Sequence, residues 1–166
     1  VVTLRHERDA VIALAIRDEV TDLEAADRVA PFLRAMGLAR DFAPLVVILG
    51  HGSNSRNNPH LAAYDCGACA GRHSGPNARL FAAMANRAEV RALMAEKGIA
   101  VPPGTWFLGA EHNTCDDAVT WYDLEDVPTY LRGALRALQE DLAAAGRAHA
   151  QERCRRLASA PLGISQ

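Results

Sequence analysis

The 166-residue sequence lacks any long apolar run. None approaches the roughly 18 consecutive apolar residues that span a bilayer as a helix. No cationic stretch followed by an apolar one opens the chain, so no secretory leader is read there. Charge of one sign is not in excess: 18 Lys+Arg face 20 Asp+Glu, a formal charge of -2. That balance leaves no electrostatic footprint for a nucleic-acid partner, and none is expected. Cysteine is scarce. The four, at 66, 69, 115 and 154, are too few for a disulfide scaffold. No internal repeat is present, and no low-complexity tract beyond an enrichment in Ala. What remains is 49% hydrophobic and 23% charged, with 12 Gly and 8 Pro. That fits one globular domain able to bury a core without staples. The chain opens at Val1, and Ala158-Ser159-Ala160-Pro161-Leu162-Gly163 lies close to its end at Gln166, which reads as a piece of a longer protein.

Helical spacing of Val11, Leu14 and Ala15 predicts a helix over 9–20, within a helical lead-in covering 1–21. Asp22 resembles an N-cap for a second helix carrying Ala25, Val29, Phe32, Leu33 and Met36, stopped by Gly37. Pro31 inside that pattern is expected to kink or split it. Leu45-Val46-Val47-Ile48-Leu49 is a continuous apolar run between Pro44 and Gly50. Such a run fits a parallel strand buried on both faces. It ends at Gly50-His51-Gly52-Ser53, where open α/β sheets place their ligands.

Residues 51–76 hold four Gly, two Pro and a polar run from Ser53 to Asn58. A loop of that length inside a domain is usually functional or disordered, and its Gly and two thiols favour function. Asn77 is read as the cap of a helix through Phe81 and Met84. A second piece follows with Val90, Leu93 and Met94, ending at Gly98. Strands are expected at Thr105–Ala110, ending at Glu111-His112-Asn113-Thr114, and at Val119–Tyr122. Asp126 is read as the cap of a long helix with Leu131, Leu135, Leu138 and Leu142, Pro128 in its first turn and a charged continuation to Leu157. The order predicts an α/β domain of three layers, a mainly parallel sheet flanked by helices. The core spans 22–126 with its site loop at 51–76, and the long C-terminal helix spans 127–158.

Chemistry concentrates at His51, Cys66 and Cys69, with His60 and His73 nearby. A histidine at a strand end and a thiolate on the next loop can meet, and imidazole with thiolate suits zinc best among the common metals. The spacing alone does not assign Cys69 as a third ligand. Three other readings stand beside this one. Buried, inert thiols with a loop-stabilising histidine need no metal. A caspase-like cysteine peptidase would use His51 and Cys66. Only 15 residues separate them here, against about 50 in the caspase arrangement. Thiol redox through Cys66 and Cys69 requires a helix N-terminus at the pair, and Gly71, Gly75 and Pro76 intervene. Gly50-His51-Gly52-Ser53 is neither a nucleophile elbow nor a dinucleotide fingerprint. His112 ends the second strand. Arg79, in the first turn after the loop, could hold an anion with that helix N-terminus. Cys115 and Cys154 are expected to be structural or incidental. The charge run from Glu152 to Arg156 is expected to be a solvated helix face.

His51-Gly52-Ser53, Asn57-Asn58-Pro59, Ala63-Tyr64-Asp65-Cys66-Gly67-Ala68-Cys69 and Gly75-Pro76-Asn77-Ala78-Arg79 together resemble one family, as do Thr105-Trp106-Phe107 and His112-Asn113-Thr114. It is the DabA family, the large soluble subunit of the bacterial two-component inorganic carbon transporter. The resemblance covers residues from about 22 to 157. It implies a divergent β-type carbonic anhydrase with zinc (Zn2+) held by Cys, Asp, His and Cys. His51 and Cys66 match the last two of these. The first two belong to an upstream Cys-x-Asp-x-Arg segment that this sequence does not contain, so the chain is expected to be half of such a core. Cys69, Asp65, Arg79 and His112 then become residues that back up the ligands or bind an anion. The resemblance also implies CO2 hydration to bicarbonate and a membrane-embedded, cation-translocating partner subunit. It implies a peripheral place on the cytoplasmic face of the bacterial membrane. A non-catalytic zinc-binding scaffold is the alternative. With two of four ligands, the chain alone is expected to hold zinc weakly, to leave its loop free to move and to be inactive.

Overall fold

Thr21 opens the first described helix of the computed structural model, which describes residues 20–54 and 72–160. The expected lead-in helix over 9–20 and most of the 51–76 loop lie outside the described residues. Helix α1 (Asp22–Ala35) starts one residue earlier than an Asp22 cap would place it. Thr21 is the cap, and Thr21 and Glu24 form a reciprocal capping box. Pro31 neither splits nor ends the helix. Its missing N–H would have bonded the carbonyl of Asp27, and both residues are exposed, where solvent can satisfy that carbonyl.

Strand β1 (Leu45–Gly52) follows, then α2 (Gly75–Ala85), α3 (Ala88–Glu96), β2 (Trp106–Asn113), β3 (Ala118–Trp121) and α4 (Arg132–Cys154). The strands form one sheet in the order β1-β2-β3. β1 and β2 are parallel from Leu45↔Trp106 to Gly52↔Asn113. β3 pairs antiparallel with the far end of β2, from Ala110↔Trp121 to Asn113↔Ala118. The sheet is therefore mixed: the longer pairing is parallel, and a short antiparallel strand is added at its end. β1 is also less buried than its apolar run suggests. Leu49 is 49% exposed.

Helices cover both faces. On one, α1 presents Ala25, Ala26, Val29, Ala30 and Leu33, all fully buried, to Val90, Met94, Ile99 and Phe107. On the other, Leu108 packs with Val127, Leu131 and Leu135, and Leu45, Val47, Trp106 and Trp121 lie against them. Successive β2 residues serve opposite layers, as strand geometry requires. Gly109 lets α2 lie directly on β2: a Cβ there would sit 2.8 Å from the Arg79 Cα. The α2 cap is Ser74 rather than Asn77. Helix α4 begins at Arg132, not near Asp126. Val127 and Pro128 are extended (ψ 123° and 139°), and two short 3-10 turns fill the approach.

Candidate functional site

The carboxyl ends of β1 and β2 carry most of the described polar chemistry. Backbone pairing runs three residues past the apolar stretch of β2, which makes Glu111, His112 and Asn113 strand residues rather than loop residues. The side chains of Glu111 and His112 therefore take opposite faces. His51 and His112 are register partners on adjacent parallel strands, so they share the face covered by α4. His51 is exposed.

Behind His112 lies a carboxylate hub that the sequence did not signal. Asp117, in the β2–β3 turn, holds a left-handed backbone at φ 57°. Its side chain is only 7% exposed. Oδ1 meets His112 Nε2 at 3.1 Å. Oδ2 meets His149 Nδ1 at 3.0 Å and accepts from Arg153 Nη2 at 2.7 Å. His149 and Arg153 are four apart on α4 and so project from one face of it. Burial pushes the Asp117 carboxyl up. The bonds from His149 and His112 and the Arg153 charge outweigh that and leave it below the usual aspartate value.

On the opposite face stands Glu111, with a side chain 13% exposed. Its Oε2 accepts the Gly75 N–H at 2.8 Å and the Tyr122 O–H at 3.4 Å, and it pairs with His73 Nδ1. Burial raises this carboxyl also. The His73 ring, the Gly75 amide and the Tyr122 hydroxyl together bring it below the ordinary glutamate value.

Arg79 forms a bidentate pair with Asp123, Nε at 2.9 Å and Nη2 at 2.5 Å, and its guanidinium lies 5.4 Å from the Tyr122 ring centre. The Asp123 hydrogen bond raises the Arg79 pKa further, against burial. Beside this pair a cavity of about 420 Å³ opens along β2, next to Asn86, Phe107 and Gly109. It lies toward the opposite end of β2 from His112.

The structure thus brings His51 and His112 together on adjacent strands and sets Arg79 against Asp123. Asp65, Cys66, Cys69 and His60 lie outside the described residues. Cys115 and Cys154 are free thiols. Among the described residues, no group of three or more His, Cys, Asp or Glu is placed to hold a metal ion. No helix there is long and apolar enough to cross a membrane. Glu111, Asp117, Tyr122 and His149 were missed by sequence reasoning. The only hints are the charged pair Asp116-Asp117 between two strand patterns and the four-residue step from His149 to Arg153.

Comparison with known proteins places this chain in a family. Residues 2–166 match the family model described as "Probable inorganic carbon transporter subunit DabA". A protein of that description from Methylococcus capsulatus is 61% identical over 145 residues, covering 87% of this chain and 14% of the relative. One from Dechloromonas aromatica is 61% identical over 142 residues, covering 86% and 14%. A more distant one, from Azotobacter vinelandii, is 45% identical over 133 residues, covering 80% and 16%. No solved structure matches the chain. The chain therefore spans about one seventh of the relatives from Methylococcus and Dechloromonas, and over nearly its whole length it belongs to the DabA family of inorganic carbon transporter subunits.

Proposed function

We propose that this chain supplies the His51 and Cys66 half of a zinc centre, and that the whole protein hydrates CO2 to bicarbonate in inorganic carbon uptake. The observation that carries the reading is the position of His51 in a chain of this family. It is an exposed imidazole, with no hydrogen-bond partner among the described residues, at the carboxyl end of a parallel strand. That is where sheets of this type bind ligands.

The donor chemistry fits zinc: a neutral imidazole, and a thiolate from Cys66 on the following loop. The remaining donors, following the resemblance, are a Cys and an Asp from another part of the full-length protein. Bound there, zinc supplies Lewis acidity that makes a nucleophile of water near neutral pH. His112 stands on the neighbouring strand, oriented through Nε2 by Asp117 Oδ1. Its Nδ1 is then the atom that takes a proton or meets a bicarbonate oxygen. Asp65, Cys69 and Arg79 are further candidates to support the ligands or an anion. Arg79 would have to release Asp123 to do so. A parallel strand pair flanked by helices is compatible with half of a β-carbonic anhydrase-like core. The partner in this reading is a membrane-embedded, cation-translocating subunit, with this protein on the cytoplasmic face.

The test is zinc analysis of the purified full-length protein, together with oxygen-isotope exchange between CO2 and water. The reading expects stoichiometric zinc and exchange above the uncatalysed rate, both lost in Cys66→Ser. Zinc without exchange would mean a scaffold. Absence of both zinc and exchange would overturn the proposal.

A further inference from the structure

Glu111 is a largely buried carboxylate, 13% exposed, with no role in the reading above, and its surroundings are unusual. Its two oxygens occupy the space that side chains at two glycines would need. Oε1 lies 2.5 Å from where a Gly52 Cβ would stand, and Oε2 lies 2.5 Å from where a Gly75 Cβ would stand. Gly52 is the last residue of β1 and Gly75 the first of α2. One carboxylate therefore touches both points at which the described backbone leaves the sheet and returns to it.

The contacts are directional. The Gly75 amide donates to Oε2 at 2.8 Å, and His73 pairs with the same oxygen. Between those residues, the Ser74 amide donates to the carbonyl of His51 at 2.8 Å. The segment 73–75 that Glu111 holds is thus the segment that grips the His51 backbone. From the other side, the Thr114 amide fixes the Gly52 carbonyl at 2.8 Å. A shape-matched apolar residue could fill this space without a buried charge. A carboxylate adds partners at fixed angles.

We propose that Glu111 is a positioning residue: it staples the end of β1 to the start of α2 and so fixes where His51 presents its imidazole. The proposal rests on the zinc reading for its consequence, but the staple itself stands on the geometry. Residues that orient a metal ligand from behind typically change metal affinity by about 10- to 100-fold when removed.

The experiment uses the full-length protein with Glu111→Ala and Glu111→Gln. Hydrogen exchange is read on peptides covering 72–76, and zinc affinity and the visible spectrum of the cobalt-substituted protein are read in parallel. The staple predicts at least about tenfold faster exchange of the 73–75 amides in Glu111→Ala. It also predicts zinc affinity at least about tenfold weaker and an altered cobalt spectrum. Glu111→Gln keeps an oxygen for the Gly75 amide but loses the charge opposite His73, so it falls between, and it stays informative should the alanine variant fail to fold. Unchanged exchange at 73–75 overturns the staple. Faster exchange with wild-type zinc affinity and spectrum overturns its positioning of His51. If the wild-type protein holds no zinc, the zinc reading fails and positioning of a metal ligand fails with it, while the exchange result still decides the staple.

Discussion

Replacing Asp117 with Asn removes one charge from the point where His112, His149 and Arg153 converge. The change isolates electrostatics, because Asn tolerates the left-handed backbone at φ 57° as Asp does. The three pairs differ in worth. The His112 pair is the better shielded, with side chains 33% and 7% exposed, and contributes about 1 kcal/mol. His149 and Arg153 are 55% and 41% exposed, so solvent screening holds each to about 0.5 kcal/mol. The sum is about 2 kcal/mol, or about 30-fold in an opening equilibrium. Since His149 and Arg153 sit near the end of α4, the loss falls on local opening of that end rather than on the whole fold. Hydrogen exchange of peptides covering 143–154 in the full-length protein reads it directly. Asp117→Ala should be worse by about 1 kcal/mol, because Ala in a left-handed conformation is strained. Low pH should mimic the substitution. The folded Asp117 carboxyl lies below its unfolded value, near 3.9. Its contribution is thus complete above that pH and disappears as pH falls through the lower folded value. Exchange in 143–154 within twofold of wild type in Asp117→Asn would refute the hub as what holds α4 to the sheet.

Other elements give further outcomes. Asn86 closes the open edge of β2 by bonding both the carbonyl and the amide of Phe107, at 2.7 and 2.9 Å. Asn86→Ala leaves those groups unpaired and should cost about 2–3 kcal/mol, read as a lower denaturation midpoint. Leu33→Ala, in the fully buried face of α1, should cost about 2–5 kcal/mol by the same measurement. Arg79→Lys cannot reproduce the bidentate Asp123 pair and should destabilise, whereas a mere surface charge would not respond.

The fold was readable where periodicity and punctuation agreed. The two-part helix before Gly98 is found as α2 and α3, with Gly98 at φ 81°. The apolar run at 45–49 is a parallel strand. Reading failed where backbone pairing outran hydrophobicity. β2 continues through Glu111, His112 and Asn113 because β1 and β3 both bond there, although no apolar pattern marks it. It failed again at Pro128, which pattern places in a helix but whose ψ of 139° keeps it outside. The site was half legible. His51 is marked by the end of an apolar run. Glu111 and Asp117 are defined by residues distant in sequence, His73 and Gly75 in one case, His149 and Arg153 in the other. No local spacing encodes such pairings.

X-ray absorption at the zinc edge of the full-length protein tests the central claim most directly. The account predicts sulfur ligands near 2.3 Å with at least one imidazole nitrogen near 2.0–2.1 Å. It predicts loss of the imidazole signal in His51→Ala and of one sulfur in Cys66→Ser. A protein that carries no zinc, or whose zinc spectrum is unchanged in His51→Ala, would contradict it.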